Sequence, residues 1–188
     1  MLGAAHELRL PRADLDRIER SFCADEQAWA RGLGQVRDVS ALFAERKVFR
    51  YLPAEVDVRL GSGGVVSDLL RVVGAGLRAR AQFTVSTQAP LPPSLEGALE
   101  AVGVTVRHES DKEWSIRAAS GAVGRVRLIG GSAAELARST NGRVELAVFD
   151  HPATEFGRLE LLPFLKEQSV SITAHRFGTP DGLTDAVI

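Results

Sequence analysis

The 188-residue chain has one cysteine, one methionine and one tyrosine, and only 6% of its residues are aromatic. A single thiol, Cys23, excludes an internal disulfide and any cysteine-rich metal cluster, and it suits a reducing cytoplasm. No run approaches eighteen apolar residues, so no membrane span is expected, and residues 1–10 hold no apolar core of signal-peptide length. The formal net charge of −1 and pI near 6.4 leave no electrostatic footprint for nucleic acid. The four histidines, His6, His108, His151 and His175, stand far apart with no helical i, i+4 pair, which argues against zinc. No G-x-S-x-G elbow nominates a serine nucleophile.

What is present is an ordinary soluble composition, 45% hydrophobic and 25% charged, in a length that suits one domain. Residues 1–46 read as a helical preface or linker. Leu15, Ile18 and Phe22 form an amphipathic stripe, and a second short helix is expected to start at Asp25 as its N-cap and to end near Gly32 or Gly34. Cys23, beside Phe22, reads as a core thiol.

The domain itself, residues 47–188, changes pattern. Residues 47–52 and 56–60 alternate as strands around Pro53. Helix and strand then take turns: a helix over 65–77 weakened by Gly74 and Gly76, strands over 82–87, 104–107, 126–129 and 144–149, and helices capped at Ser94 and at Ser132, whose partner is Glu135. Residues 108–122 read as irregular, with Trp114 and Ile116 as anchors. A helix over 154–167 is kinked at Pro163. Strands separated by single helices predict an α/β fold, a Rossmann-like parallel sheet with right-handed crossovers and flanking helices.

The closing segment, Glu160-Leu-Leu-Pro-Phe-Leu-Lys-Glu-Gln-Ser-Val-Ser-Ile-Thr-Ala174, breaks that rhythm. After a polar turn at Lys166-Glu167-Gln168 comes an alternating strand, about 170–174, with Gly178, Pro180 and Gly182 beyond it and no local partner. Unpaired strand edges are a liability. It is therefore predicted to pair antiparallel with 47–52 as a projecting β-flap, an interaction surface made of Val48, Arg50, Leu52, Val170, Ile172 and Ala174.

Candidate sites are sparse. Gly61-Ser62-Gly63-Gly64 lies between a strand and a helix, where a phosphate loop would lie, but Val66 breaks G-x-G-x-x-G and no Lys-Ser/Thr follows; a plain tight turn explains it. Gly130, Gly131 and Ser132 are a better candidate for an anion or cofactor, with free N–H groups at a helix start, although capping alone also accounts for them. Glu45, Asp57 and Glu155, scattered among basic neighbours, read as solvated. No residues emerge as a catalytic or a metal set.

The segments Glu45-Arg-Lys-Val-Phe-Arg-Tyr-Leu-Pro53 and 160–174 resemble the C-terminal domain of proline utilization A, the bifunctional proline dehydrogenase and L-glutamate γ-semialdehyde dehydrogenase, in its actinobacterial-like form. The resemblance runs from about residue 25 to the end. It implies a degenerate aldehyde dehydrogenase cofactor domain with a β-flap and no activity. Residues 51–58 resemble the opening strand pair of such a domain, 81–91 the strand and loop that carry Lys-Pro-Ser-Glu, and 128–132 the turn at the pyrophosphate. After Phe149 the family's catalytic domain, with its cysteine and glutamate, is missing. The motif's Lys and Glu are replaced at about Ser86 and Gln88. The resemblance therefore implies no cofactor in this chain, while the parent protein would use NAD, and FAD if proline dehydrogenase is fused. The implied partner is the catalytic aldehyde dehydrogenase domain of the same polypeptide, whose substrate passage the flap helps to seal, with a homodimer through the flap for the isolated chain. Two other readings stay open: a residual nucleotide- or anion-binding module, and an uncharacterised enzyme using Ser or His groups of 108–122.

Overall fold

The computed structural model describes residues 2–40, 45–173, 175–176 and 179–180. Helix α1 (Leu2–Glu7) precedes α2 (Arg12–Ala28), which widens into a π turn over Trp29–Leu33. Next come β1 (Arg37–Asp38), β2 (Glu45–Pro53) and β3 (Glu55–Leu60). Helices α3 (Val66–Arg78), α4 (Pro93–Ala101), α5 (Asp111–Ala119) and α6 (Ala133–Ser139) alternate with strands β4 (Gln82–Thr87), β5 (Thr105–His108), β6 (Arg125–Ile129) and β7 (Ala147–Phe149). The chain continues through α7 (Gly157–Leu161), a 3-10 turn over Leu162–Phe164 and β8 (Leu165–Thr173) to β9 (His175–Arg176) and β10 (Thr179–Pro180).

Five strands form a wholly parallel sheet in the order β5-β4-β3-β6-β7. The strand order reverses between β3 and β6, so this is the Rossmann-like architecture that the alternation predicts. A separate antiparallel sheet has the order β1-β2-β8. Its strands β2 and β8 pair from Glu45↔Thr173 to Pro53↔Leu165. Leu165 is buried at the ribbon base, and Ala54 N donates to Phe164 O at 2.8 Å, which ties the ribbon to the core.

The two faces of the parallel sheet differ. Val56, Val58, Leu60, Phe83 and Val85 pack under α2, α3 and α4 in the main core, together with Ile18 and Leu33. The other face, under α5 and α6, holds a smaller core of Trp114, Ala118, Val126, Leu128 and Leu136. Helix α2 thus belongs to the same core as the sheet.

Several local expectations are corrected. Residues 108–122 contain α5, started by a reciprocal capping box between Ser110 and Glu113. Trp114 anchors that helix, but Ile116 is exposed. Asp25 caps nothing; α2 runs through it, and its carboxylate is buried. Cys23 is exposed rather than in the core. Helix α3 continues to Arg78, because Gly74 and Gly76 make room for Phe22, Phe83 and Phe164. The helix expected over 154–167 is only α7 and a 3-10 turn, and the supposed polar turn Lys166-Glu167-Gln168 lies inside β8. The last parallel strand is shorter than expected, Ala147–Phe149. The short strands β9 and β10 that follow pair with each other, not with β8, whose partner is the remote β2 as expected. Asp57 is buried, not solvated.

Candidate functional site

In a sheet of this order, ligands bind outside the carboxyl ends of the strands where the order reverses. Here that crevice is filled by the chain itself. Gly61 N donates to Ile129 O at 2.9 Å, joining the loops after β3 and β6. Gly130 has φ +69°, and a Cβ placed on it would lie 1.9 Å from Gly64 N. The two glycine loops therefore touch backbone to backbone. At the start of α6, Ala133 N donates to Asp150 Oδ2 at 3.0 Å, and the Ser132 side chain accepts from Glu135 N. An internal carboxylate thus stands at the N–H groups next to Gly130, Gly131 and Ser132.

Sequence reasoning missed two clusters of buried charge. The first lies on the α5 face. Asp57 and Arg59 point to that face because side chains alternate along β3. Arg59, 2% exposed, donates to Ser86 Oγ at 2.7 Å and to Asp111 Oδ1 at 2.7 Å, and its guanidinium lies 5.4 Å over the Trp114 ring. Ser86 Oγ donates to Glu109 Oε1 at 2.7 Å. Arg117 bridges Glu109 and Asp57, with Nη1 2.5 Å from Asp57 Oδ2. Burial pushes the Asp57 carboxyl up although Arg117 opposes it. Burial acts the same way on Glu109, but hydrogen bonds from Arg117 and Ser86 outweigh it and hold that carboxyl low. Ser86, at about the position where the resemblance would place a cofactor lysine, has its hydroxyl committed inside the protein. Gln88 is exposed and neutral.

The second cluster lies under α2 and α7. Arg71 and Asp25 form a bidentate pair, and Arg71 Nε donates to Thr154 O at 2.7 Å. Glu160, fully buried, accepts from Arg127 Nε at 2.7 Å and from Thr154 N at 2.9 Å. His151 Nε2 sits 3.8 Å from Glu160 Oε2. Burial and the Arg127 charge push this imidazole below its ordinary value, against Glu160 and Asp150. The one sequence-level signal was Arg127 between Val126 and Leu128 in a buried parallel strand, where a charge demands a partner.

The flap residues come together as a ribbon. Val48 lies directly opposite Val170, Arg50 opposite Gln168 and Leu52 opposite Lys166, while Ile172 faces Arg46. Arg50 Nε donates to Gln168 Oε1 at 2.7 Å. By alternation Val48, Arg50, Leu52, Val170 and Ile172 share one face; Ala174 lies outside the described residues. Among the described residues β8 pairs on one side only, with β2. His6, His108 and His151 lie on separate elements, and no group of three or more metal-ligating side chains occurs among the described residues. No described helix is long and apolar enough to cross a membrane.

Comparison with solved structures finds this fold in proline utilization A from Corynebacterium freiburgense. The two are 29% identical, with a TM-score of 0.57, over 90% of this chain and 15% of that one. Histidinol dehydrogenase from Elizabethkingia anophelis, 13% identical with a TM-score of 0.52, matches over 81% of this chain and 38% of that one and shares the fold alone. No protein-family model and no curated protein matches the chain. The chain has a fold related to proline utilization A. It spans a small part of that protein's length.

Proposed function

We propose that this chain is a non-catalytic domain of a proline-catabolic L-glutamate γ-semialdehyde dehydrogenase. In this reading the β2–β8 ribbon packs on the catalytic aldehyde dehydrogenase domain of the same polypeptide and helps to seal its substrate passage. The observation that carries the reading is the 29% identity to proline utilization A across 90% of this chain. Three features of the chain support it. The crevice where a dinucleotide would lie is filled by Gly63, Gly64 and Gly130. The Ser86 hydroxyl is committed to Arg59 and Glu109. The one thiol, Cys23, is exposed on α2, in the N-terminal helical segment rather than on the sheet or its connecting loops. NAD, and FAD if proline dehydrogenase is fused, belong to the other domains of the parent protein, and a cytoplasmic location fits that chemistry.

The test is an assay of the isolated chain with glutamate semialdehyde and NAD, read at the NADH absorbance. The expected result is no rate above the enzyme-free control. NADH formation that disappears in Cys23→Ala would overturn the reading.

A further inference from the structure

Residues 150–156 form a strap across the carboxyl ends of β6 and β7, and it leads directly into α7, the 3-10 turn and the ribbon strand β8. Both backbone polar atoms of Thr154 are held by buried charges: Thr154 O accepts from Arg71 Nε, and Thr154 N donates to Glu160 Oε2. Glu155 adds a surface clamp to Arg20 at 3.0 Å.

The buried charges beneath the strap are balanced, Asp25 and Glu160 against Arg71 and Arg127. His151 is the imidazole of the strap, which also carries the carboxylates Asp150 and Glu155. It is faced by Arg127 from β6, by Glu160 from α7 and by its own neighbour Asp150, with the Asp25–Arg71 pair of α2 and α3 on the other side of Thr154. Its Nε2 is buried and makes no hydrogen bond, yet it lies 3.8 Å from the carboxylate oxygen that holds the Thr154 amide.

We propose that the strap is an acid-released latch, in which a proton on His151 draws Glu160 Oε2 away from Thr154 N–H and frees the strap and the head of α7. A protonated imidazole donates from both ring nitrogens, so Nε2 becomes a competitor for an oxygen that already serves Thr154. Arg127 still holds Oε1, which leaves Oε2 as the oxygen that moves. The added charge also lies beside Arg127, and that repulsion makes the closed strap the high-pH form. Because the burial-lowered imidazole releases its proton on folding, the stability it contributes is present above the unfolded value near 6.5 and is lost as pH falls.

Amide exchange followed by NMR between about pH 7.5 and about pH 5.5, with each rate divided by its intrinsic rate, reads the latch directly. Protection of the Thr154 amide is expected to fall about tenfold or more on acidification, in step with the His151 ring titration, while Val58 and Val85 in the core strands keep theirs. In His151→Gln the Thr154 protection should stay flat. Flat protection in the wild type, an equal fall in His151→Gln, or a fall shared by Val58 and Val85 would each overturn the proposal. If the variant does not fold, a wild-type fall at Thr154 whose midpoint follows the His151 ring supports the latch, and one whose midpoint follows Asp25 instead overturns it.

Discussion

Arg71 on α3 and Asp25 on α2 face each other through two hydrogen bonds of 2.7 and 2.8 Å, with both side chains shut off from solvent. Two charges in the interior are tolerable only together: losing one partner of such a pair costs about 3–5 kcal/mol, whereas an apolar replacement of both is often neutral. Asp25→Ala should therefore destabilise the chain by about that amount, and Asp25→Leu with Arg71→Met should recover most of it. Urea denaturation midpoints check this; a single variant within about 1 kcal/mol of wild type would contradict the assigned role.

The same carboxyl sets a pH dependence. Burial raises Asp25 from 3.8 to about 6 in spite of Arg71 and Arg78. A raised folded value means that folding takes up a proton, so Asp25's contribution is greatest below pH 3.8 and declines as pH rises through about 6. In Asp25→Asn this part of the slope should vanish. Stability measured across that window separates it from His151, whose contribution runs the opposite way.

The outline of the fold was legible because the alternation of strand and helix is strict from β3 to β7, and because Val48, Leu52, Val170 and Ile172 alternate as a ribbon should. The errors fall where polar residues have remote partners. Residues 166–168 look like a turn, yet Arg50 bonds Gln168 and Tyr51 OH donates to Glu167 across the ribbon, over separations of 118 and 116 residues. Asp25 looks like a cap because Arg71, which it serves, stands 46 positions later. Helix α5 was missed because Trp114 and Ala118 are its only buried residues, although the Ser110–Glu113 box was there to be read. The closure of the crevice had no local signature at all. It depends on Gly130 meeting Gly63 and Gly64, two loops separated by the whole of β4, β5 and their helices.

That closure can be tested with two glycines of similar backbone. Gly130 and Gly142 have φ +69° and +67°, but only Gly130 would drive a Cβ into another strand's loop, while Gly142 faces open space. Gly142→Ala should cost about 1–2 kcal/mol, the left-handed strain alone. Gly130→Ala should cost more, by at least about 1 kcal/mol, because a packed backbone must shift as well. Equal thermal shifts in the two variants would mean that the loops are not in contact in solution.

NAD should bind weakly. A ribose clamp needs charged partners, but Ser86 is spent on Arg59 and Glu109, and Gln88 offers no carboxylate. Losing two charged hydrogen bonds, each about 1.5–3 kcal/mol, turns a micromolar site of about −8 kcal/mol into one of roughly millimolar affinity or weaker. Isothermal titration measures it, and a low-micromolar dissociation constant would contradict both the filled crevice and the lost clamp. If weak binding does occur, Asp150→Ala should strengthen it, since that change uncovers Ala133 N–H beside Gly131 and Ser132.

The ribbon is expected to be the surface through which the isolated chain associates. Strand β8 presents nine residues with β2 on one side and no described strand on the other. An isolated two- or three-stranded ribbon is marginal by itself, and an open edge of this length accepts another strand through backbone hydrogen bonds. In the parent polypeptide proposed above, the catalytic domain would cover it. Without that domain a second copy should, giving a two-fold dimer in which the same edge serves both partners. Ile172→Pro removes one amide donor and one apolar side chain from β8, near the ribbon end at Glu45↔Thr173 and far from the base at Pro53↔Leu165. Sedimentation should show a wild-type dimer and a variant monomer, with the far-ultraviolet signal of the parallel sheet and its helices unchanged. A wild type already monomeric at high micromolar concentration would rule out self-association through the ribbon.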